Sequence, residues 1–268
     1  MQAHETVQPT RSQSVAAPSI RVQRVAFDAP WAWLAAGWRD LWAAPLISLT
    51  YGAVFAAVSM GLTVALAAGG VASLVLSLAG GFLLIGPIAA IGLYETSRRI
   101  EADERVTLGA IATAIRCAPG QLGFFGAILA FAYFVWIQLA LLMLMLFLGS
   151  KPLPPASEFV PTLLFTPHGL ALLVCGTIVG GVLAFAVFAI SAISVPLLMT
   201  RPIDAVSASL TSIAAVRENP MAMTLWAALI AGFMALGIAS LFVGLAVVFP
   251  LVGHATWHAC RDLVRDVP

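Results

Sequence analysis

The sequence predicts an all-α, polytopic membrane protein with six transmembrane helices arranged as three pseudo-repeated hairpins, each preceded by a cytoplasmic amphipathic helix. Three observations lead to this fold class. Of 268 residues, 61% are hydrophobic and only 9% are charged, whereas a typical soluble domain is about 45–50% apolar and about 25% charged. The apolar residues fall in blocks long enough to cross a bilayer. The segments that connect these blocks also resemble one another.

The first four predicted spans are continuous apolar segments. The last apolar block, residues 221–258, contains no Asp, Glu, Lys or Arg. One helix over this block would be about 57 Å long, and a bilayer core is only about 30 Å thick. We therefore interpret it as two short helices that turn near Gly237–Gly244, with a hairpin that crosses only part of the bilayer as the alternative. The four continuous spans are predicted at about 45–68, 71–94, 121–148 and 168–199.

The positions of the basic residues predict the orientation. With six spans, all twelve arginines lie on one side of the membrane and Lys151 lies on the other. Because loops rich in Arg and Lys stay in the cytoplasm, both termini are expected to be cytoplasmic, in a bacterial inner membrane. Residues 1–29 have no apolar run typical of a signal peptide and are predicted to form a flexible cytoplasmic tail. Residues 30–268 are predicted to form one membrane domain.

An internal repeat is predicted from the connecting segments. "DAPWAWLAAGWRDLWAAP" and "TRPIDAVSASLTSIAAVRENP" both open with a capping residue, a spacer and a proline, and both carry an apolar stripe. "VTLGAIATAIRCAP" is a shorter version. When the ends of the first and last hairpins are aligned on their prolines, Tyr94 matches Trp257 and Arg98 matches Arg261. The predicted units span about 30–105, 106–199 and 200–264.

Two groups of residues receive structural roles from these patterns. Tryptophan and tyrosine with a neighbouring arginine are typical of the membrane interface. The amphipathic segments are expected either to lie flat on the cytoplasmic leaflet or to pack their stripes against the hairpins. Prolines near helix ends are expected to bend helices, and a G-x-x-x-G spacing is expected to allow close helix packing. The interface group is Trp31, Trp38, Arg39, Trp42, Tyr94, Arg98, Trp257 and Arg261; the bend and packing group is Pro87, Pro196, Pro250, Gly176 and Gly180.

His254 and His258 are the candidates for a metal or haem site, because an i, i+4 spacing places both imidazoles on one helix face. The repeat alignment places Ile91 and Glu95 at the equivalent positions. Cys260 falls on roughly the opposite side of the helix from His258, and no further ligand is apparent nearby. We therefore predict ordinary polar groups near a helix end, with no metal and no cofactor.

Several stretches resemble an uncharacterised bacterial family of integral membrane proteins, the domain-of-unknown-function 2189 family. The resembling residues are "DAPWAWLAAGWRDLWAAP", "GFLLIGPIAAIGLYETSRR", "PGQLGFFG", "FAISAISVPLL" and "FPLVGHATWHACRDLV", and together they cover about residues 22–265. The resemblance implies an integral membrane protein and no particular activity. Some members carry a label relating them to cytochrome c oxidase subunit I, which the histidine positions of this chain do not support.

The sequence restricts the function mainly by exclusion. The net charge of +1 gives no basic excess for nucleic acid. No catalytic set or phosphate-binding loop is visible, and the spans carry no charged side chain at mid-depth of the kind that proton-coupled transporters use. We predict a non-enzymatic scaffold or assembly component of a membrane complex, with the lipid bilayer, a membrane protein or a second copy as partner. The alternatives are a permease or facilitator for a small apolar or amphipathic solute or lipid, and a membrane enzyme using His254 and His258. A polar-lined cavity would favour the permease, and a filled bundle would favour the scaffold.

Overall fold

The computed structural model describes residues 20–70, 75, 83–114, 116, 119–149 and 156–266. This part of the chain is almost entirely helical, with one short two-stranded sheet and one 3-10 turn, Leu83–Ile85. The elements are β1 (Ile20–Val22), α1 (Ala29–Ala43), α2 (Pro45–Ala68), α3 (Gly86–Ala89), α4 (Ile91–Glu101), α5 (Leu108–Ala114), α6 (Pro119–Leu148), α7 (Ala156–Phe165), α8 (Pro167–Ser191), α9 (Ser194–Thr200), α10 (Ala205–Glu218), α11 (Pro220–Ala239), α12 (Leu245–Leu263) and β2 (Val264–Asp266).

Four stretches of the described chain are long and apolar enough to cross a bilayer. They are Pro45–Ala68, Pro119–Leu148, Pro167–Thr200 and Pro220–Ala239. They support the prediction of an all-α polytopic membrane protein, whereas six spans and three hairpin repeats are not confirmed. Most of the first half of the predicted span 71–94 lies outside the described residues. The last predicted span corresponds to α12, which is not among the four.

The two ends of the described chain meet in the small sheet. β1 and β2 are antiparallel, and Arg21 lies opposite Arg265. The Gln23 N–H donates to the Leu263 carbonyl at 2.8 Å, which extends the contact beyond the sheet. The two ends of the described chain therefore lie together, an arrangement compatible with an even number of crossings.

Fully buried side chains are concentrated at the end of the bundle that holds this sheet, which we call the packed end. It consists of α1, α4, α9, α10 and the C-terminal half of α12. Leu41, Leu93, Ile193, Ala255 and Leu263 are each 0% exposed there. By contrast, α2, α6 and α8 expose many large apolar side chains along their length, as expected for surfaces that face lipid. The protein therefore has a conventional core at one end and loosely packed apolar helices at the other.

The starts of three long helices are held at the packed end. Ser48 at the start of α2 contacts His254 of α12. The Gln121 side chain at the start of α6 accepts a hydrogen bond from Ala205 N–H, and Asn219 before α11 accepts one from Val25 N–H. The starts of α2, α6 and α11 therefore lie at the same end of the bundle as α4, α9 and the C-terminal half of α12.

The hairpin formed by α11 and α12 is short. The carbonyl oxygen of Ala246, the second residue of α12, lies against Gly52 in the first half of α2. The rest of α2 extends for about 24 Å beyond this contact at 1.5 Å per residue. The turn that joins α11 to α12 exposes Leu241 (72%) and Val243 (69%), and such apolar side chains suit hydrocarbon. The contact therefore places the start of α12 beside the first half of α2.

In this fold the backbones of α2 and α12 pack closely together, and a substitution at Gly52 tests this contact. A Cβ atom at Gly52 would overlap the Ala246 carbonyl, whereas one at Gly61 in the same helix would meet nothing within 4 Å. Both Gly→Ala changes raise helix propensity by roughly 1 kcal/mol. We expect Gly52→Ala to destabilise the protein by about 1–3 kcal/mol because of the overlap, and Gly61→Ala to be neutral or stabilising. Thermal unfolding in one detergent would check this, and equal effects of the two substitutions would contradict the assigned contact.

Candidate functional site

His254 lies at the centre of a buried polar network. Its side chain is 0% exposed. The Nε2 atom is 2.9 Å from Ser48 Oγ of α2, and the Nδ1 atom is 2.8 Å from Ser97 Oγ of α4. Both serines are also fully buried. A neutral imidazole can donate from one nitrogen and accept at the other, so this ring connects three helices while leaving neither nitrogen unpaired.

His258, one turn later in α12, binds Asp40 of α1. The distance from His258 Nε2 to Asp40 Oδ2 is 2.7 Å, and Asp40 is only 7% exposed. Burial raises the pKa of Asp40, but hydrogen bonds with His258 and Ser97 and the nearby histidines outweigh it, so the pKa lies below its ordinary value of 3.8. Ser97 is thus the point at which the Asp40–His258 pair meets the His254 network.

The hydrogen bonds of His254 and His258 affect whether these side chains could act as metal or haem ligands. They do share a helix face, because both point toward the side of α12 covered by α1, α2 and α4. Both nitrogens of His254 are already engaged by hydroxyl groups, however. Within the described chain, no three His, Cys, Asp or Glu side chains converge as metal ligands would. The Cys260 thiol points elsewhere, toward the Ile193 carbonyl at 3.9 Å.

Sequence reasoning missed the serine partners of His254. Ser48 and Ser97 lie 206 and 157 residues away along the chain. Each is a serine in an apolar or mixed helix, where hydroxyl groups commonly bond to their own backbone. No local pattern distinguishes a serine that pairs with a distant imidazole, so the signal exists only in the folded structure.

The predicted interface residues separate into two groups. On α1, Trp31, Trp38 and Trp42 are exposed by 55%, 45% and 55%, and Arg39 is exposed beside them. Leu34 and Leu41 of the same predicted stripe are instead buried against the core. The helix therefore has one face packed on the protein and one aromatic face left open.

The residues predicted at the hairpin ends are held within the packed end. Tyr94 and Trp257 are each only 3% exposed, so both rings pack against the protein. The Trp257 indole donates to Glu101 at 2.9 Å, and Arg261 pairs with the same carboxylate at 3.0 Å.

Arg98 belongs to a separate ion-pair group in the same region. It pairs with Glu95 at 2.8 Å and with Glu104 at 3.2 Å. Burial raises the pKa of Glu95, but hydrogen bonds from Arg98 and Arg99 lower it further, so the net pKa is below its usual range. These contacts fix the C-terminal half of α4 and the loop that follows it.

The prolines and glycines predicted as bends and packing sites lie in different local structures. Helical structure is interrupted at Ala90, after Pro87, and at residues 192–193, before Pro196, but α12 runs through Pro250 unbroken. A Cβ at Gly180 would lie 2.7 Å from the Trp136 ring, so this glycine lets α8 approach α6. Gly176 has nothing within 4 Å of an added Cβ and lines a cavity instead.

Two apolar cavities lie between the helices. The far cavity, about 480 Å³, is formed by α6, α7 and α8. The central cavity, about 350 Å³, lies among α2, α4, α8, α11 and α12, with Tyr94, Ser191 and Thr256 in its wall. The two cavities share Leu84, Gly181 and Ala184. They are therefore adjacent spaces separated by a thin wall of mostly small side chains.

The central cavity opens sideways between α8 and α11. Gly181 and Ala184 of α8 and Ala231 of α11 line it and are themselves exposed. In the described part of the chain, α8 and α11 are not a closely packed pair, whereas α8 packs on α6, α7 and α10, and α11 packs on α1, α10 and α12. The opening therefore lies between two helices that are each long and apolar enough to span a bilayer.

Residues 74–200 match the model of a family described as a predicted integral membrane protein, DUF2189. This confirms the resemblance noted in the sequence, over a shorter stretch than the quoted motifs cover. No curated protein and no solved structure matches the chain. The family description establishes an integral membrane protein and does not choose among functions.

The Asp40–His258 pair should make stability depend on pH. Because the folded-state pKa of Asp40 is depressed, its stabilising contribution is present above its ordinary pKa of 3.8 and is lost as the pH falls through the folded-state value. We expect Asp40→Asn to lower the unfolding temperature at pH 7, and the difference from wild type to shrink as the pH falls below about 4. Asp28→Asn, at an exposed position before the same helix, is the matched control. A penalty for Asp40→Asn that stays constant down to pH 3 would contradict the assigned pair.

Proposed function

We propose that this protein takes an apolar or amphipathic molecule from the bilayer into the central cavity, as a facilitator or carrier without enzymatic activity. The single observation that carries this proposal is the sideways opening of an apolar cavity between α8 and α11. A molecule dissolved in lipid can reach such a cavity without entering water. This proposal corresponds to the permease or facilitator alternative, with its substrates restricted to lipid-soluble molecules.

The size and lining of the cavities support the proposal. Sites for small molecules are typically about 300–1,000 Å³ and mostly apolar, with a few polar groups that fix orientation. The central and far cavities fall in this range at about 350 and 480 Å³. A polar solute would require a polar-lined path, and the walls of both cavities are mainly aliphatic and aromatic.

The buried serine–histidine contacts support a role without catalysis. Ser48 and His254 are in hydrogen-bond contact, an arrangement that in hydrolases can activate a hydroxyl nucleophile. Here both side chains are 0% exposed, and neither lines either cavity. A substrate therefore has no described route to this hydroxyl. We assign the contacts to holding α2, α4 and α12 together.

A scaffold in a membrane complex is the second candidate, and the open aromatic face of α1 favours it. Trp38 and Trp42 contact each other edge to face with ring centroids 5.7 Å apart, and Trp31 lies on the same exposed side. Such a face suits either the headgroup region of the membrane or the apolar surface of a membrane-protein partner.

For orientation, we propose that the packed end lies in the cytoplasm of a bacterial inner membrane. Arg21, Arg98, Arg261 and Arg265 all belong to elements at this end. Arginines concentrated at one end of the bundle are typical of the cytoplasmic side. Lys151, the one basic residue predicted on the other side, lies outside the described residues.

The cavity proposal is tested by filling the cavity. An added Cβ at Gly181 or at Gly232 meets nothing within 4 Å, but only Gly181 lines the cavities. We expect wild-type protein purified gently to carry a bound apolar molecule detectable by native mass spectrometry. Gly181→Trp should abolish its retention because the indole occupies the space, and Gly232→Trp should leave retention unchanged. Equal retention by both variants, or a wild-type protein that never retains such a molecule, would overturn the proposal.

The aromatic face of α1 is tested by fluorescence quenching with brominated lipid. If Trp31, Trp38 and Trp42 face headgroups, replacing all three by Phe should remove most of the quenching by lipids brominated near the headgroup. Trp33→Phe serves as the control, because Trp33 is only 3% exposed. If the triple variant changes nothing, the face does not contact lipid. A protein that co-purifies in stoichiometric amount with wild type and is lost from the triple variant would then favour the scaffold.

A further inference from the structure

We propose that the central cavity selects molecules with a long apolar chain and an uncharged carbonyl oxygen, and that the Tyr94 hydroxyl donates a hydrogen bond to that oxygen. This inference rests on the proposed function, because it names the ligand class of the same cavity. The observation that carries it is the state of the three hydroxyl groups in the cavity wall.

Two of these hydroxyl groups are already used. The Ser191 hydroxyl donates to the Val187 carbonyl at 2.7 Å, and the Thr256 hydroxyl donates to the Val252 carbonyl at 2.8 Å. Both are bonds back to the preceding turn of the same helix, as is common for serine and threonine in apolar helices. Neither hydroxyl has a hydrogen left to offer a ligand.

Tyr94 differs from them. It is only 3% exposed and lines the cavity, yet its hydroxyl makes no hydrogen bond to any described residue. The hydroxyl of Tyr51, a half-buried tyrosine, donates to the Ala89 carbonyl. Buried polar groups nearly always have a partner, since leaving one unpaired is unfavourable. A bound molecule with an acceptor oxygen would supply the partner that Tyr94 lacks.

The side chains of the cavity wall restrict the chemical class of the ligand further. Among the described residues, no Asp, Glu, Lys, Arg or His lines the central cavity. A carboxylate or an ammonium group buried there would lose its hydration without gaining a counter-charge, which is strongly unfavourable. The head group that fits is therefore uncharged and accepts a hydrogen bond. Quinone and ester carbonyls attached to long chains share this chemistry.

The experiment compares two probes that differ only at the head group. Decylbenzoquinone carries carbonyl oxygens, and decylbenzene does not. With purified full-length protein in detergent, we expect wild type to bind the quinone probe more tightly. Tyr94→Phe should weaken quinone binding by about five- to tenfold, the effect of one hydrogen bond, and leave decylbenzene binding unchanged. Tyr133→Phe removes a hydroxyl outside both cavities and should change neither.

The outcomes separate this inference from the proposed function. If wild type binds both probes equally, or if Tyr94→Phe weakens both to the same extent, the role of Tyr94 is overturned while the cavity remains a binding site. If neither probe competes with the occupant and Gly181→Trp has no effect on binding, the proposed function itself fails. Mass spectrometry of the molecule retained from native membranes distinguishes the sources: a quinone or an acyl ester supports the inference, and a retained molecule without a carbonyl contradicts it.

Discussion

The close packing of α12 against its neighbours is the constraint on which the rest of the structure depends. At Gly37 an added Cβ would lie 2.6 Å from the Ala255 backbone nitrogen, so α1 touches α12 backbone to backbone, and Gly52 does the same for α2. An imidazole enclosed in such packing cannot reach water. Its nitrogens must find partners on the adjacent helices, because unpaired buried groups are costly. Ser48 and Ser97 meet this requirement, and by doing so they fix the positions of α2 and α4 along α12.

This constraint also explains why the two halves of the molecule differ. Around α12 the side chains interlock, and His254 and His258 are paired with Ser48, Ser97 and Asp40 of neighbouring helices. Away from the packed end the helices expose Val54, Phe131 and Val182 by more than half of their surface. In lipid no hydrophobic force drives such helices together, so they approach only where small residues or polar contacts allow it. Gaps between them are therefore an expected consequence of the environment.

Composition and helix geometry were sufficient to predict an all-α polytopic membrane fold and the shared face of His254 and His258, because both follow from the length of the apolar segments and from the helical repeat. The sequence did not decide how deeply the last hairpin enters the bilayer, because hydropathy gives the length of an apolar segment and not its contacts. The contact of Ala246 with Gly52 is a tertiary contact. Tyr94 and Trp257 illustrate a different limit. An aromatic next to an arginine at a helix end is expected both at a membrane interface and in a core beside ion pairs, and only the position of α4 against α12 separates the two. The partners of His254 and the unpaired Tyr94 hydroxyl could not be inferred from any local pattern.

The central cavity is a result of how the helices are anchored. Gly181, Ala184 and Ala231 face each other across the opening, and small residues of this kind would allow α8 and α11 to touch. They do not close together because each is held elsewhere. Gly180 fixes α8 to the Trp136 ring of α6, whereas α11 is fixed to α1 and α12, with Trp226 against Trp33 at a centroid distance of 5.8 Å. Closing the gap would require one of these contacts to break. Under the proposed function, a molecule that enters from the lipid would complete the packing without breaking either contact, so the anchoring that builds the packed end would also keep the cavity available.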